Sequence, residues 1–116
     1  MELKKLVDVI VEAYNEQRED GSKVDEVSEI CGYEMEEYLT DYKNENYSFD
    51  QIEHFGGEGE GDEMWKVFEV KDLKTEEVTN FRVSGYYDSW NGTEWDRTVE
   101  LVEAYEVTVT RWKGIK

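Results

Sequence analysis

The hydrophobic period of this chain changes once, near residue 49, and that change limits the folds open to it. Before it, Leu3, Leu6, Val7, Ile10, Val11 and Tyr14 recur at three- and four-residue steps, the spacing of one helical face. Asp8, Glu12, Glu16 and Glu19 repeat at the same steps on the opposite side, and Asp20-Gly21 supplies a stop, because glycine readily takes the left-handed conformation that ends helices. "SKVD", Ser22 to Asp25, then has the spacing of a capping box, with Asp as a shorter version of the usual Glu. Val27, Cys31, Met35, Tyr38, Leu39 and Tyr42 form a second apolar stripe, with Asp25, Glu26, Glu29, Glu36 and Glu37 mostly away from it. Gly32 falls inside this stripe, where glycine costs roughly 1 kcal/mol against alanine, and it favours a bend or break there.

After residue 49 the pattern is that of strands. "DEMWKVFEVKD" and "EEVTNFRVSGYYDS" are rich in β-branched and aromatic residues and are joined by a polar "LKTE" link. "SFDQIEHF" reads as a further short strand. In "AYEVTVTRW", Tyr105, Val107 and Val109 alternate with Glu106, Thr108 and Thr110, as in a half-buried strand. "SWNGTEWD" carries Asn91-Gly92, a favoured turn pair. Two helices with one apolar face each can cover one face of such a sheet. The expected fold is therefore α+β, one domain over residues 1–116, with two N-terminal helices (1–45) packed on an antiparallel meander of three to four strands (49–113). Trp65, Val67, Trp112 and Tyr86 are candidates for the uncovered sheet face, where an aromatic patch would mark an interface, the alternative being that the aromatics fill the core and its edges.

Composition narrows the class of partner. Net charge is −17, yet aromatic residues make up 14%, with four Trp and eight Tyr, which separates the chain from disordered acidic sequences. Residues 1–48 hold fourteen acids against five bases, residues 49–63 six acids and no base, and residues 64–116 ten acids against eight bases. Such a surface repels nucleic acid and anionic membranes and attracts basic protein surfaces. No apolar run reaches membrane-spanning length. The apolar N-terminal stretch is interrupted by Asp8 and Glu12 and lacks a small-residue cleavage site, so a cytoplasmic protein is expected.

Few residues point to catalysis. "FGGEGEGDEMW", Phe55 to Trp65, is neither a G-x-G-x-x-G nor a Walker pattern, and its acids would repel phosphate, so it reads as a turn, a bulge or the rim of a binding surface. Glu58, Glu60 and Asp62 alternate there, and Asp88, Asn91, Glu94 and Asp96 surround the second turn, but neither stretch has the EF-hand spacing. One histidine, His54, and one cysteine, Cys31, exclude a zinc site of the usual kind, and nothing around them resembles a nucleophile signature. No metal or cofactor is expected, and an enzyme is not. Tyr86, Tyr87, Trp90 and Trp95 flank a tight turn and are suited either to stacking on a ligand or partner or to local packing.

"GGEGEGDEMWKVFEV", "FRVSGYYDSWNG" and "VTVTRW" together resemble small acidic proteins of unassigned function encoded by tailed bacteriophages. The likeness spans residues 55–112, about half of the chain, and supplies no catalytic or binding residues. It implies a phage protein acting in a bacterial cytoplasm. In that context the charge pattern suggests an inhibitor that occupies the basic site of a nucleic-acid-handling host or defence protein. Carboxylates four residues apart on a helix rise about 6 Å per step, so one face can present a row of them. The candidate acids are Asp8, Glu12, Glu16, Glu19, Glu26, Glu29, Glu37, Glu58, Glu60 and Asp62. Solubility alone would also account for exposed acids. Two other classes remain open, a phage accessory or assembly protein self-associating through Trp65, Tyr86, Trp90, Trp95 and Trp112, and a module binding calcium or a small ligand on the acidic turns.

Overall fold

A computed structural model of the chain describes residues 1–19, 21–56, 62–88 and 92–115. It is an α+β structure in which a helical layer covers one face of an antiparallel sheet. The helices are α1 (Leu3–Glu16) and α2 (Gly32–Leu39), with a 3-10 turn at Val27–Glu29 between them. The strands are β1 (Tyr42–Lys43), β2 (Tyr47–Phe55), β3 (Asp62–Asp72), β4 (Val78–Asp88) and β5 (Gly92–Val102). Their spatial order follows the sequence, so the sheet is a five-stranded meander rather than one of three or four strands.

The helical stripe sits one step round from its expected centre. Leu6, Val9, Ile10, Ala13 and Tyr14 are buried, Leu3 is exposed, and Val7 and Val11 flank the contact half-buried. α1 also ends at Glu16, short of Glu19, and side chains at its C-terminal end bind the returning chain. The Asn15 amide donates to the Val24 carbonyl and accepts from the Val24 N–H, both at 2.9 Å. Gln17 Nε2 donates to the Ala13 and Tyr38 carbonyls at 3.2 and 2.7 Å.

The second expected helix is broken, and the capping box lies later than Ser22–Asp25. Glu29 accepts from the Glu26 N–H at 3.0 Å, and Glu34 accepts from the Cys31 N–H at 3.3 Å, which starts α2. Hydrogen bonds from the Glu26 and Asp25 N–H groups hold the Glu29 carboxyl below the usual carboxylate range. Gly32 opens α2 because Trp95 lies against it, and a Cβ there would come within 2.6 Å of three indole atoms. Tyr42 leaves the helical stripe and pairs with Phe49 in β1.

β3 and β4 match the expected strand segments closely. Their buried residues, Met64, Phe68 and Val70 with Phe81 and Val83, point towards the helices, and Phe68 stacks on Phe81 at 5.2 Å. β2 carries an irregularity between Gln51 and Glu53 that shifts its register against β3. The glycine stretch falls between β2 and β3 in sequence, and only its first glycine, Gly56, is among the described residues. Gly56 has φ +77°, and a Cβ there would lie 2.0 Å from the Glu63 carbonyl oxygen, so only glycine fits. Gly57, Glu58, Gly59, Glu60 and Gly61, and with them two of the acids singled out above, lie outside the described residues, as do Trp90 and Asn91.

The last expected strand is not one. Residues 103–115 have no regular secondary structure, and Tyr105, Val107, Val109 and Trp112 are all exposed. The edge strand is instead β5, whose Val99 and Trp95 pack towards the helices. Both segments alternate with period two. Only the β5 segment can reach the β4 edge and the helical layer together.

Candidate functional site

The acids of α1 and of the 3-10 turn come together along one side of the helical layer. Asp8, Glu12 and Glu16 are exposed at successive turns of α1. A shallow depression of about 450 Å³ is lined by Asp8, Val11, Glu12, Asn15, Glu16 and Lys23. A second, of about 340 Å³, adds Val7, Asp25, Glu26, Val27, Ser28 and Thr98 and shares Asp8 and Val11 with the first. Together they form a shallow groove lined by carboxylates, by half-buried Val7, Val11 and Val27, and by one base, Lys23.

The remaining acids have other positions. Glu16 accepts hydrogen bonds from the Tyr42 hydroxyl at 2.9 Å and Asn44 Nδ2 at 3.0 Å, which ties α1 to the first strand. The Tyr42 hydroxyl is pushed up from its ordinary range by burial and by its bond to Glu16. Glu19 is exposed beyond the helix end, and Glu29 is spent on capping. Glu37 lies on α2 beside a separate depression with Tyr33, Glu36, Thr40 and Gln51. Asp62 begins β3.

Behind the groove, α1 is held to α2 by a polar network. The buried Tyr14 hydroxyl donates to Glu34, and Arg18 Nη1 donates to the same hydroxyl at 2.5 Å. Burial, and then the bond to Glu34, push the Tyr14 hydroxyl up to about 12. Burial alone would raise the Glu34 carboxyl, but the bonds from Tyr14 and the Cys31 N–H outweigh it and hold the group below its usual value.

The aromatic candidates divide between two sides of the sheet. Trp65 lies on the face away from the helices, stacked on Phe55 at 4.0 Å, with the Arg82 guanidinium 5.8 Å from its ring. Arg82 also pairs with Glu100 across the β4–β5 ladder. Val67 shares this face. An open depression of about 370 Å³ there is bordered by Ile52, Trp65, Val67, Arg82, Val102 and Tyr105, among others. Exposed Tyr86 shares a neighbouring depression with Trp65. Trp95 is on the other side, between Gly32 and Gly85 and edge-on to Tyr33 at 5.3 Å, so it is a packing residue. Its Nε1 is buried with no hydrogen-bond partner among the described residues. Trp112 is not on the sheet at all and is 92% exposed.

Lys66, not among the residues that the sequence singled out, is 1% exposed between the helical layer and β3. Its ammonium pairs with Glu36, donates to His54 Nδ1 at 2.8 Å, and lies 5.8 Å from the Tyr33 ring. His54 Nε2 is 3.1 Å from the Gly56 carbonyl and donates to it, which leaves Nδ1 as the acceptor for the lysine. The parity of β3 carried a signal, because Lys66 falls in the inward series Met64, Lys66, Phe68, Val70. Among the described residues no group of three or more His, Cys, Asp or Glu side chains is arranged to hold a metal ion, and no helix is long and apolar enough to cross a membrane. Comparison with protein-family models, curated proteins and solved structures finds no match to this chain.

Proposed function

We propose that this chain is a non-enzymatic, phage-type acidic protein of the bacterial cytoplasm that binds and blocks a basic surface on a nucleic-acid-handling host or defence protein. The observation that carries this reading is the groove along α1, lined by Asp8, Glu12, Asp25 and Glu26 together with half-buried Val7, Val11 and Val27. A wholly solvated acidic face would have no reason to frame apolar side chains. The carboxylates select a cationic partner and speed its encounter, while the valines supply contact area that persists in salt. Lysine and arginine side chains suit both parts, with apolar stems and charged ends.

The test is a pull-down from bacterial lysate washed at low and at high salt, with wild type beside the triple variant Asp8→Lys, Glu12→Lys, Glu26→Lys. These three acids are exposed, and the variant leaves intact Glu16, which ties α1 to the first strand, and Glu34, which binds Tyr14. A partner retained by wild type, displaced by nucleic acid and lost in the variant is expected. A partner held equally by the variant, with both proteins folded, refutes the groove.

A second reading, association through the open sheet face, is favoured by the exposure of Phe55 and Ile52, 49% and 52%, beside Trp65. Placing a charge there with Trp65→Glu would abolish that association and leave the groove untouched.

A further inference from the structure

The C-terminal segment has the sequence of a strand and the structure of an unpaired one. Tyr105, Val107, Val109 and Trp112 are 84%, 68%, 63% and 92% exposed, and the segment carries no regular structure of its own. A strand-patterned, β-branched segment of this kind has unpaired backbone donors and acceptors that a neighbouring strand would satisfy. Its projection fits the radius of gyration, 17.0 Å, against about 13 Å for a compact chain of this length.

The strand directly before it offers what it lacks. β5 pairs with β4 on one side, and among the described residues no strand pairs with its other side. An open edge of eleven residues is a template for strand addition. Residues 103–112 extended would span about 34 Å, close to the length of β5. Within one chain the segment reaches that edge only by turning back at Glu103-Ala104, a pair with neither Gly, Asn nor Asp to make a tight hairpin.

The geometry points to a second copy of this chain, with the C-terminal segment of each copy pairing antiparallel to the β5 edge of the other. The net charges of the two parts favour this partner. Residues 103–116 hold two acids and three bases, a net of +1, whereas residues 1–102 hold twenty-eight acids and ten bases, a net of −18. The bases Arg111 and Lys113 come late in the segment, and the acids Glu94 and Asp96 early in β5. Antiparallel pairing sets the basic end of the segment along the acidic end of β5, with Arg111 and Lys113 on the opposite face from Glu94 and Asp96, while parallel pairing would bring Glu103 and Glu106 to that acidic end. Because the segment continues β5, one such pairing implies its reciprocal, and the two close about a two-fold axis near Val102. In that register Ala104 faces Glu100 of the other copy. Tyr105, which borders the open-face depression in the unpaired segment, would turn with Val107 and Val109 to the parity of Trp95, Val99 and Leu101, on the side of the helices, where Leu101 is 42% exposed. The two meanders would form one continuous sheet, and this pairing does not rest on the acidic groove.

Sedimentation equilibrium of the full chain tests it, beside Val107→Pro and Thr108→Pro. Neighbouring N–H groups on a strand point to opposite edges, so one of these prolines must remove a bond to the partner. Wild type is expected at twice the chain mass, and at least one proline variant at the chain mass, with far-UV circular dichroism unchanged. The double variant Ala104→Cys, Glu100→Cys is expected to form a covalent dimer on oxidation, since directly opposed residues lie within disulfide reach, while each single variant does not. A wild-type monomer at high concentration, an open-ended series of larger species, or a dimer that survives both prolines but is lost in Trp65→Glu would overturn the pairing.

Discussion

Replacing Gly32 with alanine should destabilise the protein even though alanine is the better helix former. Glycine at a helix position costs up to about 1 kcal/mol against alanine, so propensity alone favours the substitution. Packing opposes it. The new Cβ would lie 2.6 Å from Cδ2, Cε2 and Cε3 of Trp95, where carbon atoms prefer separations of about 3.5–4.0 Å. The indole would have to retreat by about 1 Å. Its far side is closed as well, because the space above Gly85 is already so narrow that a Cβ there would sit 2.9 Å from Trp95 Cε3. Overpacking of this kind costs about 1–3 kcal/mol, and expelling the indole would forfeit a burial of similar worth. The net expectation is a loss of about 1–2 kcal/mol, or roughly 5–10 °C in Tm for a domain of this size. Thermal unfolding followed by circular dichroism measures it, with near-UV ellipticity and tryptophan fluorescence reporting on the indole. Gly114→Ala, with nothing within 4 Å of its Cβ, is the matched control and should not shift the melt. In a Trp95→Leu background the cost of Gly32→Ala should shrink or reverse. An unchanged or higher Tm for Gly32→Ala alone, or the same cost in both backgrounds, refutes the reasoning.

The Tyr14 hydroxyl stays protonated in the folded protein up to about 12 against an ordinary 10.0, so its stabilisation is complete below pH 10 and is lost as pH rises towards 12. Alkaline melts of Tyr14→Phe should lack that fall relative to wild type, and equal slopes would exclude the assignment. Glu34 has the opposite sign, because its depressed carboxyl contributes above the ordinary carboxylate range and the contribution disappears as pH falls through the folded value. Acid melts of Glu34→Gln should therefore converge with wild type only at low pH. At the buried lysine the two partners should respond unequally. Glu36→Ala leaves an ammonium that is 1% exposed without its carboxylate and should cost about 3 kcal/mol, whereas Lys66→Met leaves a Glu36 side chain 44% exposed that can turn to water and should cost about 1 kcal/mol or less. Chemical denaturation of both variants decides it, and equal losses would mean that the pair does not govern the site.

Much of the fold was legible because it depends on local periodicity. The change from helical to strand period near residue 49, the extents of β3 and β4 and the break at Gly32 all follow from spacing and backbone freedom. The exposure of Asp8, Glu12 and Glu26 is likewise a matter of which helical face is polar. What local periodicity cannot weigh is competition between segments. "GTEWDRTVELV" and "AYEVTVTRW" both alternate, and the first became β5 because Trp95 finds a slot between two glycines 53 positions apart in sequence, Gly32 on α2 and Gly85 on β4. The same three-dimensional fit sent Trp95 to the helical side and Trp65 to the open face, although the sequence grouped them as aromatic contacts. Lys66 is buried because the alternation of β3 carries it inward, and its charge is tolerated only because Glu36 and His54 arrive from elsewhere in the chain. The groove has that origin too, since Asp8 and Glu26 become neighbours only when the 3-10 turn folds back along α1. Periodicity and charge are properties of neighbouring residues and are written along the chain, whereas partners and burial depend on contacts between distant segments, which packing alone decided.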